Sequence, residues 1–118
     1  MKDLSVLDAL NYLKENPADF NLAQAIAAAF DDRLDELDGV MPKNAAQEDA
    51  LEEEIDAVSE LADLMLAVME ECKAYAKAVK TDSEADDSSV QDVLIELEDY
   101  LNAYDDNYKH LDKMQVEL

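Results

Sequence analysis

An all-α chain of four helices, with a long antiparallel helical hairpin in its second half, is what the 118-residue sequence predicts. Three observations carry that expectation. One Gly, two Pro and 49% apolar residues, with Ala, Leu, Glu and Asp prominent, suit helices and supply a core. Residues 44 to 80 contain neither Gly nor Pro, and apolar side chains recur there at alternating spacings of four and three. The same alternation returns at residues 90 to 111, beyond a short polar connection. At this length one acidic helical domain, residues 1–118, is expected.

The first helix is predicted over about residues 3–15, with Leu4, Leu7, Leu10 and Leu13 on one side and Asn16-Pro17 ending it. The second is predicted over about 20–38, with Asp19 or Asn21 as its N-cap. Its apolar face is Leu22, Ile26, Phe30, Leu34 and Leu37, and Gly39 suits a left-handed residue after the last turn.

The third helix is expected over about 44–80, on a seam of Leu51, Ile55, Val58, Ala62, Met65, Met69, Cys72, Ala76 and Val79. Leu61, Leu64, Val68 and Tyr75 widen that seam, as when a helix packs against more than one neighbour. At ~1.5 Å per residue such a helix is about 55 Å long, so it must project, bend or be covered by a second subunit. The fourth is expected over about 89–113, with Ser88 or Ser89 as its cap and a seam of Val90, Leu94, Leu97, Leu101, Tyr104, Tyr108 and Leu111.

Charge is the second theme. The stretch "QEDALEEEIDAVSE", residues 47 to 60, holds seven acids and no base. Four of its acidic pairs lie four residues apart, and each opposes helix formation by roughly 0.2–0.5 kcal/mol. The whole chain carries a net charge of −22, beyond the magnitude of about 2–8 that solubility asks of a small domain. Residues 44 to 72 and 81 to 108 each contain ten acids and no base. Lys73, Lys77 and Lys80 gather instead at the end of the third helix, where they complement its dipole.

Helical geometry then orders these acids. With the seam at heptad positions a and d, Asp49, Asp56, Asp63 and Glu70 all take position b, and Glu53 and Glu60 take position f. Asp49, Glu53, Asp56, Glu60 and Asp63 make one outward row that advances about 5 Å per carboxylate. Asp92, Glu96, Asp99 and Asp106 make a second row on the fourth helix. Each strand of duplex DNA presents a phosphate about every 3.4 Å, and contacts to that backbone supply much of the affinity of DNA-binding proteins. Two neighbouring carboxylate rows imitate that sequence-independent part of recognition. The ten carboxylates are therefore the expected partner-binding residues, and self-repulsion is tolerated because the charge is the binding surface.

In size, helicity and charge over its whole length the chain resembles the DNA-mimic inhibitors of phages, of the Ocr-like anti-restriction and acidic anti-CRISPR types. No motif is shared, so no residue is carried over from them. The resemblance implies an inhibitor of a host defence nuclease or other DNA-binding protein, and a homodimer. The expected partner is a basic nucleic-acid-binding protein. Direct binding to nucleic acid or to an anionic membrane is disfavoured by the sign of the charge. The alternative is a helical-hairpin adaptor, scaffold or chaperone that grips a basic protein through its apolar seam.

Other functions fit less well. The chain has one histidine, His110, no Glu-x-x-His pair for a bundle di-iron site, and too few glycines for a phosphate loop, so neither enzyme nor cofactor is expected. "DSEADDSSVQDV", from Asp82, places Asp87 where a calcium loop needs Gly and Val93 where it needs Glu, so no metal is expected. Cys72 lies on the seam as a buried thiol, which with the lack of any second cysteine suggests an intracellular setting. "MKDLSVLDALNYL" lacks a secretory pattern and no apolar run approaches 18 residues, so a cytoplasmic protein is expected, in the host cell if phage-encoded. Tyr100, Tyr104 and Tyr108 form a stripe that serves either packing or, with Met65 and Met69, an interface.

Overall fold

Ser5 decides where the first helix begins. Its Oγ accepts a hydrogen bond from the Asp8 amide at 3.2 Å, so α1 spans Val6–Glu15 rather than starting at residue 3. The residues before it, Asp3–Ser5, form strand β1. In this computed structural model, which describes residues 3–117, β1 pairs antiparallel with β2, Gln115–Glu117. Leu4 faces Val116 in that register. The expected helical start is corrected for this reason: the partner strand lies more than a hundred residues away, beyond any local signal.

The second helix, α2, spans Phe20–Asp38 with Asp19 as N-cap, its Oδ1 accepting from the Leu22 amide at 3.1 Å. Gly39 follows at φ −85°, in the right-handed region, so the expected left-handed residue is absent there. Its amide instead reaches back to the carbonyls of Asp35 and Glu36. Helix α3 spans Ala45–Thr81, capped by Asn44, whose side chain accepts from the Gln47 amide at 2.8 Å.

Helix α4 spans Ser88–Tyr108 with Asp87 as the capping position, one residue before the expected serines. Asp82 and Asp86 order the preceding connection by accepting from the amides of Glu84 and Ser88. The end of α4 departs most from expectation. Lys109 turns left-handed at φ 58°, a short 3-10 turn covers Leu111–Lys113, and β2 follows. Met114 and Val116 are buried, so residues 109–117 close the fold instead of prolonging the helix.

The four helices thus give an all-α chain with one small two-stranded sheet. Val6, Leu10, Leu13, Ile26, Phe30, Val58, Leu61, Met65, Leu94, Leu97 and Leu101 are at most 1% exposed and form one core cluster. The molecule measures 56 × 28 × 19 Å with a radius of gyration of 15.5 Å, above the ~13.5 Å typical of this length. Its long axis matches the straight length of α3. That helix projects, and beyond Cys72 it has no buried residue. No helix of the described residues is long and apolar enough to cross a membrane.

The buried stripe of α3 is also rotated from the expected seam. Buried residues are Glu54, Val58, Leu61, Met65, Val68 and Cys72, with Ile55, Ala62 and Met69 only partly covered. This is a shift of roughly 50° at 3.6 residues per turn. It follows from packing against both α2 and α4, which centres the stripe between two neighbours.

Candidate functional site

The acids were expected to face outward, and burial sorts them on this point. Asp49, Glu53, Asp56, Glu60, Asp63 and Glu70 on α3 are all exposed, as are Asp92, Glu96, Asp99 and Asp106 on α4. The rotated stripe still leaves the α3 rows on the side away from the core. The α3 row comes close to side chains of α4. Tyr108 has its hydroxyl pushed up by burial and by the adjacent carboxylates of Glu53, Glu54 and Asp56. Glu60 lines a shallow hollow with Tyr100, Ala103 and Asn107 of α4.

The tyrosine stripe divides. Tyr104 is 2% exposed and packs against the half-buried Tyr108 as a tilted pair at a centroid distance of 5.2 Å, and Met65 is fully buried. These residues serve packing within the chain. Tyr100 is 40% exposed and remains free to meet another molecule.

A second cluster was not foreseen. Glu54 is 6% exposed and Arg33 7%, side by side between α2 and α3. Arg33 Nη2 donates to Glu54 Oε2 at 2.8 Å, and its Nη1 donates to Glu36 Oε2 at 3.0 Å. The Tyr104 hydroxyl donates to the same Glu54 oxygen at 2.6 Å. His110 Nδ1 lies 3.0 and 3.1 Å from the two Glu54 oxygens and 3.2 Å from Arg33 Nη2. One nitrogen cannot both donate and accept, and the carboxylate is the stronger partner, so the Nδ1–H tautomer pointing at Glu54 is assigned.

Electrostatics follow from this packing. Burial by itself raises the Glu54 carboxyl, but hydrogen bonds from Tyr104, His110 and Arg33 outweigh it and hold the group below the ordinary carboxylate range. Burial likewise opposes the Arg33 charge, and its partners Tyr104, Glu54 and Glu36 more than compensate. Tyr104 is pushed up by burial and by Glu54, so its hydroxyl stays protonated as a donor. Four elements meet here: α2, α3, α4 and the turn after α4. The cluster is a fastening for the C-terminal segment and sits beneath the groove lined by Leu37, Val40, Leu51 and Lys113.

Its members carried a faint signal in the sequence. Arg33 is the sole arginine and falls on the apolar face of α2, three residues after Phe30 and seven after Ile26. Glu54 falls four residues before Val58 and seven before Leu61. A lone arginine and a lone acid on two apolar faces read as a buried pair once those faces are known to meet.

Cys72 is fully buried, and burial, with Asp19 and Glu71 nearby, pushes its thiol up to about 11. It is a packing residue with little thiolate. Asp82 and Asp86 spend oxygens on the turn itself, and among the described residues no group of three His, Cys, Asp or Glu is placed to hold a metal. No protein-family model, curated protein or solved structure matches the chain.

Proposed function

We propose that this protein is an acidic DNA mimic that occupies the nucleic-acid-binding site of a basic protein and blocks it. A host defence nuclease is the kind of target that the class resemblance suggests. One observation carries the proposal: the ten carboxylates named above on α3 and α4 are all exposed, while the only arginine is sequestered in the core. Residues 44–72 and 81–108, which hold all ten, contain no base, and the exposed Lys73, Lys77 and Lys80 lie beyond them at the end of α3. Rows whose carboxylates advance about 5 Å apiece along a helix offer basic clefts a continuous negative field, which steers association at distances up to the Debye length of about 8 Å at physiological salt.

The alternative of an adaptor gripping through its apolar seam has less support. Val58, Met65 and Cys72 of α3 and Leu94, Leu97 and Leu101 of α4 are covered within the chain itself. A homodimer belongs to the same proposal, since the terminal turns of so long a helix lack neighbours. Sedimentation showing only monomer at micromolar concentration would remove that part and leave the blockade intact.

The test uses immobilised wild-type chain and a variant carrying D49N, E53Q, D56N and E60Q. Wild type should capture a DNA-binding protein from host lysate, release it in a salt gradient and yield it to duplex DNA or heparin. Equal capture by the variant, or capture insensitive to salt and heparin, overturns the proposal.

A further inference from the structure

Beside the α3 acidic row, against α4, lies a feature that phosphate imitation does not require. Residues Ala57 and Glu60 of α3 and Tyr100, Ala103, Asn107 and Tyr108 of α4 line a hollow of about 160 Å³ on the outer side of the helix pair. Two alanines open it, because a larger side chain at either position would fill the space. The size excludes a small-molecule pocket, which takes about 300–1,000 Å³. At ~30 Å³ per water it holds the volume of about five waters, enough for the end of one long side chain.

Its lining is chemically mixed. Tyr100 and Tyr108 supply aromatic surface, Asn107 an amide and Glu60 a carboxylate, and Glu53 and Asp56 lie close enough to act on the Tyr108 hydroxyl. A planar cation satisfies all of these together, since a guanidinium stacks on aromatic faces while its edge donates to carboxylate and amide. An ammonium gains the charge but not the stacking and fork geometry. A neutral or anionic side chain gains neither in a field this negative.

We propose that this hollow is a socket for one arginine side chain of the basic partner, set beside the α3 acidic row. The inference rests on the charged-face reading above and deepens it. The rows attract any basic cleft, and the socket selects one that presents an arginine at the right place. Arginine and tyrosine are among the residues that most often dominate interface energetics.

The test separates the two ideas. Ala103 is exposed, and Ala103→Leu fills the hollow with a good helix former while leaving every charge in place. N-acetyl-arginine amide, its lysine analogue and its neutral citrulline analogue are titrated into the full chain at low salt and followed by NMR. The arginine probe should shift Tyr100 and Asn107 resonances and bind roughly fivefold or more tightly than the lysine probe. A103L should abolish that preference, whereas D49N with D92N, away from the hollow, should preserve it.

The same variants are applied to the captured target. If A103L holds the target as wild type does while the four-amide variant releases it, the socket falls and the mimic stands. If the four-amide variant also holds it, both fall. Should A103L abolish self-association instead of target binding, a second copy of this chain is the occupant and the arginine assignment is wrong. Unchanged circular dichroism and melting temperature of A103L accompany each comparison.

Discussion

The Tyr104 hydroxyl donates a 2.6 Å hydrogen bond to Glu54, joining the penultimate turn of α4 to the third turn of α3 inside the core. The same carboxylate takes the charge of Arg33 from α2 and the imidazole N–H of His110 from the turn after α4. Among the described residues Glu54 is the one acid that is fully turned inward, and it draws in the only arginine.

That pair should be costly to break and cheap to replace. Removing one member leaves a buried charge unpaired, so Glu54→Ala is expected to lower the unfolding free energy by about 3–5 kcal/mol. The double change Arg33→Met with Glu54→Leu should recover most of that loss, because apolar side chains of similar volume need no counter-charge. Urea unfolding of the single and double variants decides it. A Glu54→Ala loss below about 1 kcal/mol would show that the network contributes little.

Acid should reveal the same carboxylate. Burial raises it and the hydrogen bonds from Tyr104, His110 and Arg33 lower it further, so its folded value lies below the ordinary 4.5. As pH falls, the unfolded chain takes up this proton first, and stability is lost. The contribution is fully present above about pH 4.5 and disappears as pH falls through the folded value. The stability difference between wild type and E54Q should stay constant from pH 7 to 5 and shrink below that. A difference that is flat to pH 3 contradicts it.

Neutralising the outer row should make the protein firmer while disarming it. D49N, E53Q, D56N and E60Q remove three of the four like-charge pairs spaced four apart in residues 47 to 60, leaving Glu48 with Glu52 there, which predicts a gain of about 0.6–1.5 kcal/mol. Added salt should narrow the gap between variant and wild type by screening the repulsion that remains. Thermal melts at low and high ionic strength measure both effects.

Met114 tests the role of the C-terminal segment. It is 1% exposed, in a stretch that pairs with the N-terminal strand through Leu4 and Val116. Met114→Ala should cost about 2–5 kcal/mol, as for a core methionine elsewhere. A loss under 0.5 kcal/mol would mean that this segment is an appendage.

The sequence alone determined the helical class, the extents of α2 and α3 to within a residue, and the outward placement of the ten named carboxylates. These are local or periodic properties: one turn of helix constrains the next, and carboxylates spaced at three and four leave the apolar side wherever it points. Tertiary structure decided what depends on distant partners. Ser5 starts α1 because residues 115–117 lie beside β1, and α4 stops at Tyr108 because Met114 and Val116 have a core to enter. The seam of α3 was ambiguous by one position, since Ile55, Ala62 and Met69 are as apolar in pattern as Leu61 and Val68. Only the simultaneous approach of α2 and α4 chose between them, and that choice carried Glu54 into the interior, where Arg33 is the charge that makes its burial tolerable.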